Sequence, residues 1–408
     1  MGRNRIIIFA YAVYPNIQSS EGIVNRNWID IISKNNDLVV LDSESTQYYE
    51  NNDFIIREDL FLKKLKHVIK KKVIILFFLF RFSNKIFKLL AINKKVNNLY
   101  TFLWVKRQKG KILRNHIIDS NSVFWARLLP TFSLLPLLQY HHEMKIPIIV
   151  NVNDPLEDDL FSEELILRSK PIVQSWTFPS YQLAKYFSEK YQIEIDNCFV
   201  IPHAMKEQRG LYQNSFNKEV LNFLYTGTFY KGAFTETFLR QLSDFSKTEL
   251  YCEVQFTFVL SQYDSDSLQL LKEVLPNIRI LTNLSREEVL DMIIDADCMF
   301  VVDAKNHINL LKGKLAEAIS FGLPVFSVSY EGSVMDEIVS NYGGFSSYQD
   351  VENQILIDLQ EAVVNLKDNN WNREFLEKRI EIMNYFSERN ISDLTNMITN
   401  LTINRFNS

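Results

Sequence analysis

Cysteine is scarce in this sequence, and its three copies are scattered. Cys198, Cys252 and Cys298 lie far apart, and no CxxC pair occurs among the 408 residues. This spacing argues against a disulfide framework and against a structural zinc site. The sequence therefore favours a reducing compartment.

Long apolar runs and glycine-rich phosphate signatures are missing as well. No apolar block approaches the roughly 20 residues that a membrane-spanning helix requires. The apolar run at 6–13 is followed by Pro15 and polar residues, which predicts a first strand and not a signal peptide. Neither GxxxxGK[ST] nor GxGxxG occurs, which excludes a Walker loop and a dinucleotide-binding fingerprint.

Positive charge is concentrated in one segment. Residues 57–114 contain 17 Lys and Arg against two acidic residues, Glu58 and Asp59, in a chain whose net charge is −4. Apolar blocks such as VIILFFLF at 73–80 alternate with the cationic ones, a composition that suits the surface of an anionic membrane. Core helices with solvated lysine faces are the alternative. Nucleic-acid binding is disfavoured, because the rest of the chain is acidic.

Apolar strand-like and helix-like patterns alternate along both halves of the chain, which predicts the α/β class with doubly wound parallel sheets. The length and a composition of 47% apolar and 23% charged residues predict two folded domains. The predicted strands cover 5–11, 37–43, 116–120, 147–154, 171–178, 198–202, 221–227, 254–260, 278–281, 298–303, 324–329 and 343–347. The predicted helices include 22–33, 132–144 and 181–191.

The predicted domains follow from this alternation. An N-terminal domain covers 1–203, a polar linker covers 204–219, and a second domain covers 220–385. A helical tail is predicted over about 372–400, and the C-terminal helix at 386–408 is expected to pack back toward the N-terminal domain. Two Rossmann-like domains of this kind are expected to face each other across a cleft.

The most informative segment is KGKLAEAISFGLPVFSVS at 312–329. Leu311, Leu315, Ala318 and Ile319 have the spacing of a buried helix face, which places Lys314 and Glu317 together on the opposite face. This helix follows an apolar strand, at the sheet edge where α/β proteins bind ligands. A lysine in a first helical turn is disfavoured unless an anion such as phosphate lies nearby. An exposed ion pair is the simpler alternative.

A second segment, FLYTGTFYKGAF at 223–234, adds a glycine and a lysine at the end of another predicted strand. Gly227 and Thr228 end that strand, and Lys231 follows before a helix. A glycine at a strand end allows close approach of a ligand to the backbone, and a nearby lysine can meet its charge. A surface lysine is the alternative interpretation of Lys231.

Taken in order, these segments resemble the GT-B glycosyltransferases, specifically the retaining family 4 transferases that use sugar nucleotides. The resemblance covers most of the chain outside 51–114. It is carried by IPIIVNVNDP at 146–155, FPSYQLAKYFSEKY with VIPHAM within 178–205, YTGTFYKG at 225–232, LTNLSREEVLDMIIDADCMFVV at 281–302 and KLAEAISFGLPVFS at 314–327.

The resemblance implies a GT-B fold and roles for particular residues. Lys231 and Lys314 would contact the donor diphosphate, and Glu317 would accept hydrogen bonds from the ribose. The other implied substrate-binding residues are Gly22, Asp154, Gly227, Thr228, His307, Asn309, Leu310 and Leu311. Two positions depart from the family pattern, since Asn309 stands where a glutamate is common and Thr228 where an arginine is usual. No metal is expected, because an apolar-flanked DxD triplet is absent.

The function implied is transfer of a sugar, of the hexosyl type, from a nucleotide-diphosphate sugar with retention of configuration. The expected acceptor is lipid-linked or a polysaccharide, with surface polysaccharide synthesis as the setting. Together with the basic segment, this predicts a cytoplasmic protein bound peripherally to the inner face of the membrane. The alternatives are a nucleotide-sugar epimerase of the same fold and a non-catalytic scaffold subunit.

Overall fold

The structure is a computed structural model of the whole chain. It describes residues 4–10, 13, 20–42, 45–50, 53–58, 122–128, 134–135, 137–138, 146–154, 160–203, 211–213, 218–228, 232–262 and 265–407. The chain divides into two compact units. The first consists of 1–201 with 392–408, and the second of 202–391.

The first unit is built on one sheet with eight strands among the described residues. In chain order the strands are β1 Arg5–Phe9, β2 Asp37–Leu41, β3 Ser45–Glu50, β4 Asp53–Glu58, β5 Ser122–Leu128, β6 Ile148–Val152, β7 Ser175–Phe178 and β8 Cys198–Val200. Their spatial order is β4-β3-β2-β1-β5-β6-β7-β8. The neighbouring strands among β2, β1, β5, β6, β7 and β8 pair in parallel. Strand β3 pairs antiparallel with both β2 and β4.

Among the described residues of the first unit, three helices follow strands of this sheet: α1 Ser20–Ile32, α2 Leu160–Ser169 and α3 Tyr181–Tyr191. The start of α3 is fixed locally, because the Ser180 hydroxyl accepts a hydrogen bond from the Leu183 amide at 3.2 Å. Strand β6 (IIVNV) is buried throughout, as expected for a parallel strand covered on both faces.

The second unit has a six-stranded sheet that is parallel throughout. Its strands are β9 Leu221–Thr228, β10 Val254–Gln262, β11 Arg279–Thr282, β12 Cys298–Val302, β13 Val325–Ser329 and β14 Phe345–Tyr348, in the order β11-β10-β9-β12-β13-β14. Its helices are α4 Glu236–Phe245, α5 Ser265–Val274, α6 Arg286–Ile294, α7 Gly313–Ser320, α8 Val334–Tyr342, α9 Gln354–Lys367 and α10 Asn369–Tyr385.

The two faces of this second sheet are packed differently. One face is rich in phenylalanine and packs against α4 and α9, with Phe223, Phe256, Phe258, Phe300 and Phe326 at its centre. The other face carries smaller residues, including Leu224, Met299, Val301 and Val325. Helices α6, α7 and α8 pack on that second face, so α6 and α7 share one core.

The last helix, α11 Glu388–Asn407, packs on the first unit through polar side chains. Asn36 donates to Asn396 at 2.9 Å, and the hydroxyls of Ser175 and Thr402 lie 2.7 Å apart. Thr395, Thr399 and Thr402 are fully buried, and the hydroxyls of Thr399 and Thr402 donate to carbonyls one turn earlier in the helix.

The sequence predictions are confirmed at the level of fold class, with local differences. All predicted strands of the second unit are present, with bounds that shift by one or two residues. The hairpin of β3 and β4 was not predicted. The predicted strand at 116–120 and most of the predicted helix at 132–144 lie outside the described residues, as does the basic segment beyond residue 58.

The helical tail predicted over about 372–400 consists of two helices, α10 and α11, and the second of them lies within the predicted C-terminal helix at 386–408. The Ser387 hydroxyl accepts a hydrogen bond from the Asn390 amide at 3.3 Å and thereby starts a new helix. Within the predicted linker, Tyr212 is buried in the second unit, where its hydroxyl donates to Asn372 at 2.8 Å. Among the described helices, none is both long and apolar enough to cross a membrane.

Candidate functional site

The N-terminus of α7 lies at the carboxyl edge of the second sheet and lacks a side-chain cap. Its N-cap residue is Lys312, which has extended backbone angles and a side chain that cannot accept a hydrogen bond from the first-turn N–H groups. The predicted buried face is confirmed, since Leu311, Leu315, Ala318 and Ile319 are buried. This packing holds the uncapped end of α7 where strand β12 leads into it.

Glu317 projects from the second turn of α7 and is held by two cations. Its side chain is only 4% exposed, and its Oε2 accepts a hydrogen bond from Lys314 Nζ at 3.0 Å. Its Oε1 accepts from the guanidinium of Arg286. Burial alone would raise the pKa of the Glu317 carboxyl, but Lys314 and Arg286 together hold that pKa below its ordinary value.

Arg286 is the site residue that sequence reasoning missed. It is the first residue of α6, directly after the N-cap Ser285, which forms a capping box with Glu288. A cation in a first helical turn is disfavoured by the helix dipole. That unusual placement was the available signal, but its partner Glu317 lies 31 positions later in the chain.

A second buried carboxylate lies at the end of β12. Asp303 is fully buried, and its Oδ1 accepts from Lys312 Nζ at 3.0 Å and from the Ala304 amide at 2.8 Å. Lys312 Nζ also donates to His307 Nδ1 at 3.0 Å. Burial raises the pKa of Asp303 against the opposing effect of Lys312, whereas burial and Lys312 both lower the pKa of His307.

Four of the predicted substrate-binding residues lie between β12 and α7, namely His307, Asn309, Leu310 and Leu311. Asn309 is half-buried, while Leu310 and Leu311 are 7% and 2% exposed as whole residues. The backbone N–H of Leu310 donates to the His307 carbonyl at 2.8 Å. The Leu311 carbonyl lies 2.9 Å from His203 Nε2, which ties the start of this unit to the loop.

Gly227 and Thr228 lie at the end of β9, where the sequence placed them. Gly227 has a positive φ of 144°, a region that favours glycine. The Thr228 hydroxyl lies 3.1 Å from that of Ser261, and the Tyr225 hydroxyl donates to the Thr228 carbonyl at 2.8 Å. Lys231, the predicted diphosphate contact in this segment, lies outside the described residues.

The two predicted site residues of the N-terminal part belong to the first unit. Gly22 is buried in the first turn of α1, and Asp154 follows the end of β6 and is half-buried. Across the ranges that the structure describes, no three His, Cys, Asp or Glu side chains gather as metal ligands would.

Comparison by sequence finds no matching family model and no matching curated protein. Comparison by structure finds S. aureus TarM, in a mutant complex with Fondaparinux, alpha-GlcNAc-glycerol and UDP, at a TM-score of 0.53 and 13% identity. That match covers 69% of this chain and 56% of TarM, so the chain spans a little over half the length of TarM.

Two further solved structures match over nearly the whole chain. A glycosyltransferase from Rickettsia africae matches with a TM-score of 0.63 at 12% identity, covering 99% of both chains. An E. coli structure named for trehalose-6-phosphate and bound with UDP-2-fluoro glucose matches with a TM-score of 0.61 at 10% identity, covering 96% of this chain and 98% of its own. Likenesses at such low identity establish the fold alone, and the fold of this protein is that of the GT-B glycosyltransferases.

Proposed function

We propose that this protein transfers a hexosyl residue from a nucleotide-diphosphate sugar, with retention of configuration, to a lipid-linked or polysaccharide acceptor. The observation that carries the proposal is the cluster of Arg286, Lys314 and Glu317 beside the uncapped start of α7. The GT-B fold supports it, and so do the UDP held by TarM and the UDP-2-fluoro glucose held by the E. coli structure.

The chemistry of sugar transfer requires a site that stabilises a leaving diphosphate. Breaking the bond between the anomeric carbon and phosphate leaves negative charge on the nucleoside diphosphate, which fixed cations and helix N–H groups stabilise. Lys314 is 37% exposed and can reach such a phosphate, and Lys231 is proposed as the second cation. These cations would take the role that a metal plays in other transferases, so we propose that no metal or other cofactor is needed.

The remaining contacts are assigned by residue type. Glu317 would accept hydrogen bonds from the ribose hydroxyls, since an ionised carboxylate is an acceptor only. Asn309 can hydrogen-bond a sugar hydroxyl but cannot carry charge, and Thr228 offers a hydroxyl in place of a cation. Further contacts to the donor are proposed from Gly227, His307, Leu310 and Leu311, and Gly22 and Asp154 are proposed on the acceptor side.

The basic segment at 57–114 supports the proposal that the acceptor is presented at an anionic membrane surface, on the cytoplasmic side. Surface polysaccharide synthesis is the setting proposed for such an acceptor. Vesicle flotation tests the membrane part: binding to vesicles with anionic lipid and not to neutral ones is expected, and equal binding to both would contradict it.

The activity is tested with the purified full chain, anionic vesicles carrying an acceptor extract, and a panel of UDP- and GDP-sugars. We expect release of nucleoside diphosphate that depends on the acceptor and persists in EDTA, and a product that keeps the donor's anomeric configuration. Donor conversion without acceptor would indicate the epimerase, and donor binding without turnover would indicate the scaffold. No release from any donor would contradict the proposal.

The variant Lys314→Met tests the proposed contact between Lys314 and the diphosphate in the same assay. Losing a charged contact to the diphosphate should lower kcat/KM by about tenfold or more, since such contacts contribute about 1.5 to 3 kcal/mol. Lys247→Met is the matched control, because Lys247 forms an exposed ion pair at 2.8 Å with Asp244, which is also three residues away in the sequence. Equal kcat/KM values for the two variants would mean that Lys314 does not contact the donor.

A further inference from the structure

Glu317 has more positive charge around it than a single carboxylate needs. Lys314 is bonded to one of its oxygens and Arg286 to the other. The two cations differ in freedom: the Lys314 side chain is 37% exposed, while that of Arg286 is 23% exposed. Lys314 is therefore the cation more accessible to a ligand, and Arg286 is the more enclosed of the two.

The position of Arg286 is not explained by the helix that carries it. The start of α6 is already satisfied by Ser285, which accepts from the Glu288 amide at 3.2 Å, and by Glu288, which accepts from the Ser285 amide at 2.7 Å. A cation at the next position works against the helix dipole. Its described ionic partner is Glu317, brought close because α6 and α7 pack in the same core.

We propose that Arg286 is a positioning residue that keeps Glu317 ionised and oriented when Lys314 moves to the donor diphosphate. This inference rests on the proposed function. In the free protein both cations hold Glu317. In the complex Lys314 would bond to phosphate, and Arg286 would remain as the cation on the buried carboxylate.

Without Arg286, that exchange would leave a buried carboxylate without a cation. Such a group takes up a proton from solvent, because burial disfavours its charged form. The protonated acid then donates through one oxygen and accepts less well from the ribose hydroxyls. Loss of Arg286 should therefore weaken nucleotide binding and also couple binding to proton uptake, an effect that a merely structural arginine would not produce.

The test is calorimetric titration of UDP and of GDP into the full chain, in two buffers of different ionisation enthalpy, between about pH 5.5 and 8. Wild type should bind one of these nucleotides with no net proton uptake. Arg286→Met should bind at least about tenfold more weakly and take up protons on binding. Arg286→Lys, which keeps the charge, should restore affinity and remove the proton uptake.

Arg240→Met is the matched control, because Arg240 pairs with Glu352 at 3.2 Å on the exposed surface of the same unit. It should bind as wild type does. If Arg286→Met does not fold, Arg286→Gln gives the same comparison, since it retains a hydrogen-bond donor without the charge. If Arg286→Met or Arg286→Gln binds nucleotide as tightly as wild type and without proton uptake, this inference is overturned and the proposed function stays intact. If wild type binds neither nucleotide, both are overturned.

Discussion

Two arginine–glutamate pairs of the second unit have the same chemistry and different surroundings. Arg286 and Glu317 join two helices at the carboxyl edge of the sheet, where their side chains are 23% and 4% exposed. Arg240 and Glu352 meet at 3.2 Å on the surface, where they are 59% and 74% exposed. Burial separates the two pairs, because solvent screens exposed charges and leaves buried ones strongly coupled.

The difference in burial between the two pairs indicates which of them has a role other than stabilising the fold. A buried carboxylate with two cations is costly to build, since each ion loses its hydration. The exposed pair costs little and contributes little. A fold that maintains the costly arrangement at the start of α7 keeps fixed charge beside uncapped N–H groups, which is the arrangement that an anionic ligand requires.

Neutralising Glu317 should produce the largest difference in stability between the two pairs. Glu317→Gln leaves Arg286 beside an uncharged amide, and removing one partner of a buried pair costs about 3 to 5 kcal/mol. We expect the lower end of that range, because Lys314 can turn toward water. Urea unfolding measures the loss, with Glu352→Gln as control. If Glu317→Gln lowered the free energy of unfolding by less than about 1 kcal/mol more than Glu352→Gln does, the buried pair would contribute no more than an exposed one.

Lowering the pH should have a smaller effect on the stability of the buried pair than replacing Glu317. Because the pKa of Glu317 is lowered in the folded chain, its ion pairs contribute fully above the ordinary value of 4.5 and lose that contribution as the pH falls through the lowered pKa. Wild type and Glu317→Gln should therefore converge in urea midpoint below about pH 4.5. A gap that stayed constant down to pH 3, roughly, would mean that ionisation of Glu317 is not the cause.

The smallest effect is expected from the exposed pair. Arg240→Met should change the free energy of unfolding by no more than about 0.5 kcal/mol, as is usual for surface substitutions. Thermal unfolding at low and high salt provides the measurement. If the loss were comparable to that of Glu317→Gln, burial could not be the property that distinguishes the two pairs.

Much of the second unit could be predicted from the sequence because its signals are local. The apolar spacing from Leu311 to Ile319 identified α7, and the Ser285 and Glu288 pattern identified the start of α6. Strand β12 was evident as an uninterrupted buried run. Each of these features depends on residues within a few positions of one another, where backbone periodicity decides which side chains share a face.

The first unit was harder to predict, since its edge is built from less distinctive sequence. The hairpin of β3 (STQYYE) and β4 (DFIIRE) was missed because only its second strand carries an apolar run. The helical tail predicted over about 372–400 contains the boundary between α10 and α11. The break at Ser387 depends on one serine hydroxyl and on the buried Phe386 before it.

The sequence by itself determined the α/β alternation and the placement of Lys314 and Glu317 on one helix face, because residues three positions apart in a helix are neighbours on its surface. Only the tertiary structure brought Arg286 to Glu317 and Lys312 to Asp303, and only it buried both carboxylates. The physical reason is that strand order and the shared core of α6 and α7 decide which distant residues meet. The dielectric surroundings that this packing creates then decide how strongly their charges interact.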